Sequence, residues 1–443
     1  MNVLKTFRRG GIHPPENKLS ARKEIETLPL PDQVAIPLNQ HIGAPAIPVV
    51  EKGDSVKVGT LIGKANGFIS ANIHSSVSGK VLKIDNVYDT SGYKKPAVII
   101  KVEDDIWEES IVRDDKLDKE CNLPPKEIVD KITEAGIVGM GGAAFPTHVK
   151  LSIPPGEKAS VLLINASECE PYLTDDHALM LAKTEEIMIG IRLLMRAIEV
   201  DTAYIGIENN KRDAIERFSN IIPQYPGIHL APLKVKYPQG GEKQLIEAIM
   251  KKEVPSGKLP VHVGAVVQNV GTTFAVYEAV LKNKPLIDRI VTVTGKTLGK
   301  QMDVRVRVGT PIRHLIEYAG GLPEDTGKII GGGPMMGRAL VSQDIPVVKG
   351  MSGILILPHT ESFRKDSRPC IRCSKCVSIC PMGLVPSFLM NCVEFEDFDR
   401  AEKFHITDCI ECGSCFYVCP SNRPLSDYIR NGKAKVLSII RKR

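Results

Sequence analysis

Between residues 32 and 103 the chain runs in short apolar stretches broken by Gly and Pro. Apolar and polar positions alternate in Val49-Val50-Glu51-Lys52-Gly53-Asp54-Ser55-Val56-Lys57-Val58-Gly59. The stretch Ile73-His74-Ser75-Ser76-Val77-Ser78-Gly79-Lys80-Val81 has the same character. Such short alternating runs predict a small all-β module. From 125 to about 280 helical and strand patterns take turns, which predicts an α/β domain. There Lys126 to Ala135 reads as a helix that ends at Gly136, and Ala159 to Asn165 as a buried strand. Glu185 to Glu199 reads as an amphipathic helix and Thr202 to Ile207 as another strand. Residues 285 to 340 return to β character through Ile290 to Gly295 and Val304 to Gly309, with a helix around Ile312 to Tyr318. The pattern divides the chain at 1–124, 125–284, 285–360 and 361–443.

Composition narrows this picture. A length of 443 residues fits three or four domains. Aromatics make up only 5%, so Val, Ile, Leu and Ala must build the cores. A net charge of +6 is too mild to imply nucleic-acid binding. The basic excess concentrates in Tyr428 to Arg443, which holds six Lys or Arg and no acid. That segment reads as a solvated tail or as a docking element for an acidic partner or lipid surface. No run approaches the ~20 apolar residues of a membrane helix, the best candidate being Met351 to Pro358. Met1 to Gly10 is basic but lacks the apolar core of a signal peptide. The expected location is the cytoplasm or its membrane face.

Eleven cysteines would be awkward as disulfides in that compartment. Eight of them form two runs, Cys370-Ile-Arg-Cys373-Ser-Lys-Cys376-Val-Ser-Ile-Cys380-Pro381 and Cys409-Ile-Glu-Cys412-Gly-Ser-Cys415-Phe-Tyr-Val-Cys419-Pro420. Both are C-x2-C-x2-C-x3-C-P, the bacterial ferredoxin run, in which the fourth cysteine ligates the other cluster. Cluster one is then expected on Cys370, Cys373, Cys376 and Cys419, and cluster two on Cys409, Cys412, Cys415 and Cys380. Structural zinc is the competing reading, but it favours two C-x2-C pairs set apart by a longer loop. Two neighbouring [4Fe–4S] clusters make redox chemistry the expectation. Cys121, Cys169 and Cys392 fall outside the pattern and read as ordinary buried thiols.

The richest loop is Gly136-Ile-Val-Gly139-Met-Gly141-Gly142-Ala-Ala-Phe145-Pro146-Thr147. Gly139-x-Gly141-x-x-Ala144 matches a dinucleotide fingerprint in form, but a helix pattern precedes it where that fingerprint needs a strand. An ordinary Rossmann site is therefore not expected. The loop can still bring backbone N–H groups to a phosphate, or be a plain structural turn.

Three later stretches follow this loop: Asn165-Ala166-Ser167-Glu168-Cys169-Glu170-Pro171, then Tyr204-Ile205-Gly206-Ile207-Glu208 with Gly240-Gly241-Glu242, then Gln268-Asn269-Val270-Gly271-Thr272. Together, in this order, the four resemble the FMN- and NADH-binding flavoprotein subunit of respiratory complex I, over roughly residues 130 to 340. The resemblance implies that Gly139, Gly141, Gly142 and Lys150 contact FMN. It implies that Asn165, Glu168, Tyr204, Glu208, Gln268, Asn269 and Thr272 line the flavin pocket. Phe145 would stack on the adenine of NAD(H), and Glu170 would bind the dinucleotide. An acidic residue of that family is Ser167 here, and a second stacking aromatic is Ile153.

The β module resembles the barrel-sandwich fold of biotinyl and lipoyl domains. The stretch matching their hairpin tip, Phe68 to Ile73, has no lysine to carry a swinging cofactor. With Thr6-Phe7-Arg8-Arg9-Gly10-Gly11-Ile12-His13-Pro14-Pro15 and Asn72 to Gly79, the arrangement resembles the RnfC family, the C components of Rnf complexes, which are ferredoxin–NAD oxidoreductases that pump Na+ or protons. The implied fold is multidomain α/β and α+β: a barrel-sandwich module, a flavoprotein-like domain, a soluble-ligand-binding β-grasp domain and a two-cluster ferredoxin-like domain. The implied cofactors are two [4Fe–4S] clusters and FMN, with NAD(H) as substrate and no side-chain catalyst. The implied partners are the other Rnf subunits, namely the ferredoxin-accepting B component and the integral-membrane A, D, E and G components, with this chain peripheral on the cytoplasmic face. A microcompartment cobalamin reductase shares the domain string, and a cluster relay without nucleotide activity is a further alternative.

Overall fold

The computed structural model describes residues 4–443. The barrel-sandwich unit packs two small sheets against each other. One orders strands Gln33–Pro37, Lys94–Asp104, Ser78–Tyr88 and Ser55–Val56; the other orders Ile47–Pro48, Leu61–Lys64 and Ile73–His74. Their inner faces meet through Val34, Ile36, Ile62, Ile73, Val98 and Ile100, the alternation expected when one face of each sheet is buried.

The α/β unit is a four-stranded, wholly parallel sheet, ordered Ile228–Leu233, Ala203–Glu208, Val161–Ala166 and Ala265–Asn269. Helices cover both faces, so its central strands are apolar on both sides. Leu162 and Ile164 face helices Thr184–Ala197 and Val270–Leu281, while Val161 and Leu163 face helix Glu242–Met250. The helix preceding the glycine loop is Pro125–Glu134, with Pro at its first turn. It ends in a Schellman turn: Gly136 N donates to Thr133 O at 3.1 Å and Ile137 N to Ile132 O at 3.2 Å. Gly136 takes φ 62 there, and a Cβ would stand 2.1 Å from Asn72 O of the barrel unit. Only glycine satisfies both demands.

The β-grasp unit is a six-stranded mixed sheet, ordered Ile25–Thr27, Met302–Arg307, Asp288–Thr294, Gly353–Pro358, Thr326–Gly331 and Arg338–Ala339. Its core is backed by helix Ile312–Tyr318. Its edge strand Ile25–Thr27 comes from the N-terminal stretch and pairs in parallel with Asp303–Arg305. The stretch before the barrel thus serves later units.

The cysteine-rich unit is helical, with Pro386–Glu394, Phe398–Lys403 and Leu425–Ile440 around Leu389, Ala401, Ile406 and Ile429. The basic C-terminal segment is therefore not a solvated tail. Arg430 and Lys433 reach Glu411 at 3.0 and 3.3 Å, and Arg443 reaches Asp399 at 3.2 Å. Among the described residues no helix is long and apolar enough to cross a membrane.

Candidate functional site

The two cysteine runs fold alike. Arg372 and Ser374 in the first, and Glu411 and Gly413 in the second, take left-handed backbone at matching positions. Each run then enters a one-turn helix, Lys375–Ser378 or Ser414–Tyr417, carrying the third cysteine. Cys380 leaves its own run to line one small cavity with Cys409, Cys412 and Cys415. Burial pushes the Cys409 thiol up to about 12, and the Cys415 thiol is raised too. Four thiols around one enclosed space suit a bound cluster, which needs them as thiolates. The other crossing is drawn together by Arg368 N, two residues before Cys370, donating to Ser421 O, two residues after Cys419, at 2.9 Å. Cys370 and Cys373 are exposed, and Cys376 and Cys419 half-buried.

Most residues expected to hold a flavin lie where the parallel strands end, the usual place for ligands of such sheets. The Val270–Leu281 helix starts there. Its cap, Asn269, accepts from Gly271 N at 2.8 Å and Thr272 N at 3.2 Å. The glycine loop is pinned against this helix end. Met140 N donates to Thr272 Oγ1 at 2.9 Å, and Gly141 faces the Asn269 side chain. Gly139 N closes the loop on Phe145 O at 2.8 Å, leaving Gly141 and Gly142 exposed and Phe145 half-buried. Opposite, Asn165 Nδ2 donates to Gly240 O at 2.8 Å, and Gly240 N approaches Cys169 Sγ at 3.2 Å.

Charge is buried beneath this edge. Glu168 Oε1 accepts from Asp176 N at 2.8 Å and His177 N at 3.2 Å. Its other oxygen lies 3.6 Å from Lys18 and 4.0 Å from Lys211. Lys211 is buried, donates to Ser167 O at 2.7 Å and stands 3.9 Å from Glu208. Burial raises the Glu208 carboxyl to about 7. Burial and the neighbouring Glu168 raise Asp176 to about 7. Asn269 Nδ2 meets Asp176 at 2.7 Å. Ser167 Oγ, Glu168 Oε2 and Gln268 Nε2 are buried at this edge without hydrogen-bond partners. Such atoms cost roughly 1–3 kcal/mol each, so a polar ligand in the pocket fits the residues present.

The expected residues do not all gather. Gly139, Gly141, Gly142, Asn165, Glu168, Glu208, Gln268, Asn269 and Thr272 converge on the strand ends. Tyr204 does not: it lies near the start of its strand, packs against His229 with ring centres 5.3 Å apart and lies under Lys5 at 5.1 Å. Lys150 is no free cation, because Glu242 holds it at 2.6 Å. Glu170 turns to the β-grasp unit, where Oε1 accepts from Met335 N and Met336 N at 2.8 Å each and Oε2 stays unpaired. Burial raises its carboxyl to about 7. Cys392 is buried as expected, whereas Cys121 and Cys169 are only partly so. Sequence reasoning missed Lys18, Asp176, Lys211 and Tyr237. Lys18 donates to Glu168 O, Glu170 O and Leu173 O from about 150 positions away, which no local pattern announces.

Family models match along the chain: the RnfC barrel sandwich hybrid domain at 5–105, the Nuo51 FMN-binding domain at 132–278, the SLBB domain at 290–339 and a 4Fe-4S dicluster domain at 362–420. The chain is 46% identical to the C component of the proton-translocating ferredoxin:NAD(+) oxidoreductase complex of Clostridium ljungdahlii, over 98% of this chain and 94% of that one. It is 42% identical to the C component of the Na(+)-translocating ferredoxin:NAD(+) oxidoreductase complex of Acetobacterium woodii, over 100% of both. It is also 42% identical to the C component of the ion-translocating oxidoreductase complex of Rhodobacter capsulatus, over 97% of this chain and 83% of that one. With barrel, flavin-type and cluster units in one order, and such identity along the full length, the chain belongs to the RnfC family, the C components of Rnf ion-translocating oxidoreductase complexes.

Proposed function

We propose that this chain is the peripheral, cytoplasmic-face component at which an Rnf-type complex passes electrons between two [4Fe–4S] clusters and NAD(H) through FMN, while the complex moves Na+ or H+. The observation that carries the reading is a junction. Asn165 at the pocket wall holds Gly240 O, and three residues earlier Tyr237 holds Cys412 O at 2.9 Å. One short stretch thus joins the flavin-type pocket to a cluster loop. Cys412, expected to hold cluster two, lies at this junction, whereas Cys370 and Cys373, expected to hold cluster one, are exposed. Electrons from ferredoxin would then enter through the partner proteins, the ferredoxin-accepting one and those embedded in the membrane, on the side of the exposed Cys370 and Cys373.

Bound FMN supplies the exchange between two-electron hydride chemistry and one-electron transfer. The chain supplies binding and order. The exposed backbone N–H groups of Gly141 and Gly142 would receive the phosphate, on a loop that Gly139 N closes onto Phe145 O beside the Asn269-capped helix end. Asn165, Glu168, Glu208 and Gln268 would border the ring. Phe145 would serve the dinucleotide side, while Glu170, held by Met335 N and Met336 N, ties the β-grasp unit to this edge. Lys150, neutralised by Glu242, acts as a donor rather than as net charge. No side chain need move a proton as a general base.

Anaerobic stopped-flow mixing of the cofactor-loaded protein with NADH is the direct test. The expected trace is loss of the flavin band followed by loss of cluster absorbance. Clusters that dithionite reduces but NADH leaves untouched would make the chain a relay and end this reading.

A further inference from the structure

The stretch Thr6 to Pro15 has no part in the chemistry so far. Just before it, Lys5 makes an isolated parallel bridge at the edge of the α/β sheet: Lys5 N donates to Pro232 O at 3.0 Å and Lys234 N to Lys5 O at 2.9 Å. Phe7 is fully buried, with Lys236 Nζ 4.0 Å above its ring. A few residues on, the arm reaches the cluster unit. Gly11 N donates to Ile379 O at 2.9 Å, next to the ligand Cys380. Gly10 takes φ 65, and a Cβ there would lie 2.4 Å from Ile379 O. The arm can touch the cysteine loop this closely only because the residue is glycine.

Ile12 and Tyr237 then exchange both backbone hydrogen bonds at 2.9 Å. Tyr237 is 2% exposed, and its hydroxyl donates to Cys412 O at 2.9 Å. Its ring packs in one apolar group with Ile12, Cys412, Cys169 and Ile379. Cys169 in turn touches Gly240 at the pocket wall. A single backbone bridge therefore backs both halves of cluster two's site, Cys380 through Gly10 and Gly11, and Cys412 through Tyr237.

We infer that Tyr237, backed by the Gly10–Ile12 arm, is the positioning residue that fixes cluster two against the flavin pocket, and that electrons cross at this seam. The inference rests on the flavin-to-cluster reading above. In the NADH-driven direction, one NADH gives NAD+, one proton released to solvent and two electrons, and each of the two clusters takes one. Tyr237 fills the seam with a rigid ring and ties the Cys412 loop by its hydroxyl, so removing either part changes a different property. The ring governs separation, and the hydroxyl, which also lies beside the buried Glu170 carboxyl, governs the environment of the Cys412 peptide.

The test uses the full-length, cofactor-loaded protein and its Tyr237→Ala, Tyr237→Phe and Gly10→Ala variants. With NADH, Y237A and G10A are expected to keep the flavin phase within about twofold and slow the cluster phase about tenfold or more, as small misplacements do. Y237F is expected to restore the rate to within about threefold while shifting the cluster-two EPR signal of dithionite-reduced protein. Variants with unchanged iron content, an unchanged cluster phase and unshifted spectra overturn the proposal. Should Y237A lose iron, Y237F decides alone: an unshifted cluster-two spectrum overturns it. The EPR arm needs no NADH, so it stands even if wild type fails to bleach, an outcome that sinks only the functional reading.

Discussion

Asp303 is fully buried, and its carboxylate accepts from Thr174 at 2.8 and 2.9 Å and from Thr292 at 2.6 Å. Burial outweighs these hydroxyls and raises the group to about 7. A carboxyl raised above its unfolded value of about 4 stabilises fully below that value. It loses the contribution as pH rises toward 7, at up to about 1.4 kcal/mol per pH unit crossed. Melting curves of wild type and Asp303→Asn should therefore converge or cross between about pH 4 and 7, with wild type losing ground. A pH-independent gap would contradict the assignment. This carboxylate, like Lys211 and Asp176, was illegible in the sequence, because its partners lie on other elements and burial of a lone charge has no local signature. Glycines and cysteines are different. Their roles follow from what one backbone or one sulfur can do, so the helix end at Gly136 and the pairing of the two cysteine runs could be read directly. Tyr204 was misjudged for the opposite reason: an aromatic in a strand looks the same whether it faces a pocket or a neighbouring histidine.

At the scale of elements, periodicity located several helices and buried strands to within a residue or two, since each must bury a continuous face. Ile312–Tyr318 and Thr184–Ala197 are examples. The longest helix, Leu425–Ile440, instead read as a basic tail. The three-residue strand Ile25–Thr27 escaped because its partner strand begins near Asp303 and three residues carry no period. The glycine loop and the Val270–Leu281 helix act as one element, joined at Thr272 and capped by Asn269. Asn269→Ala should cost about 1 kcal/mol of stability through the lost cap. It should also weaken FMN binding about tenfold or more, measured by fluorescence titration of flavin-free protein; undiminished affinity would remove Asn269 from the pocket. The crossing of the two cysteine runs makes an equally sharp prediction. Cys380→Ala and Cys412→Ala should lose the same EPR signal and keep the other, while Cys370→Ala and Cys419→Ala do the reverse. If Cys380→Ala pairs with Cys370→Ala instead, each run holds its own cluster.

Across the whole molecule the units are stitched by the same early residues. Lys5 lies on the α/β sheet, Gly11 on the first cysteine run, Ile12 on Tyr237 and Ile25–Thr27 on the β-grasp sheet. The sequence pattern divided the chain into consecutive blocks because composition changes along it, and a segment that serves several blocks in turn leaves no such boundary. This stitching also has a meaning in time. Residues leave the ribosome at about 5–20 per second. Gly11 therefore waits on the order of 20–70 s before Ile379 exists to meet it. The arm's other partners, Pro232 and Tyr237, are made well before that, so the seat for the first cysteine run already exists when the run emerges, and Gly11 is the last part of the arm to be engaged.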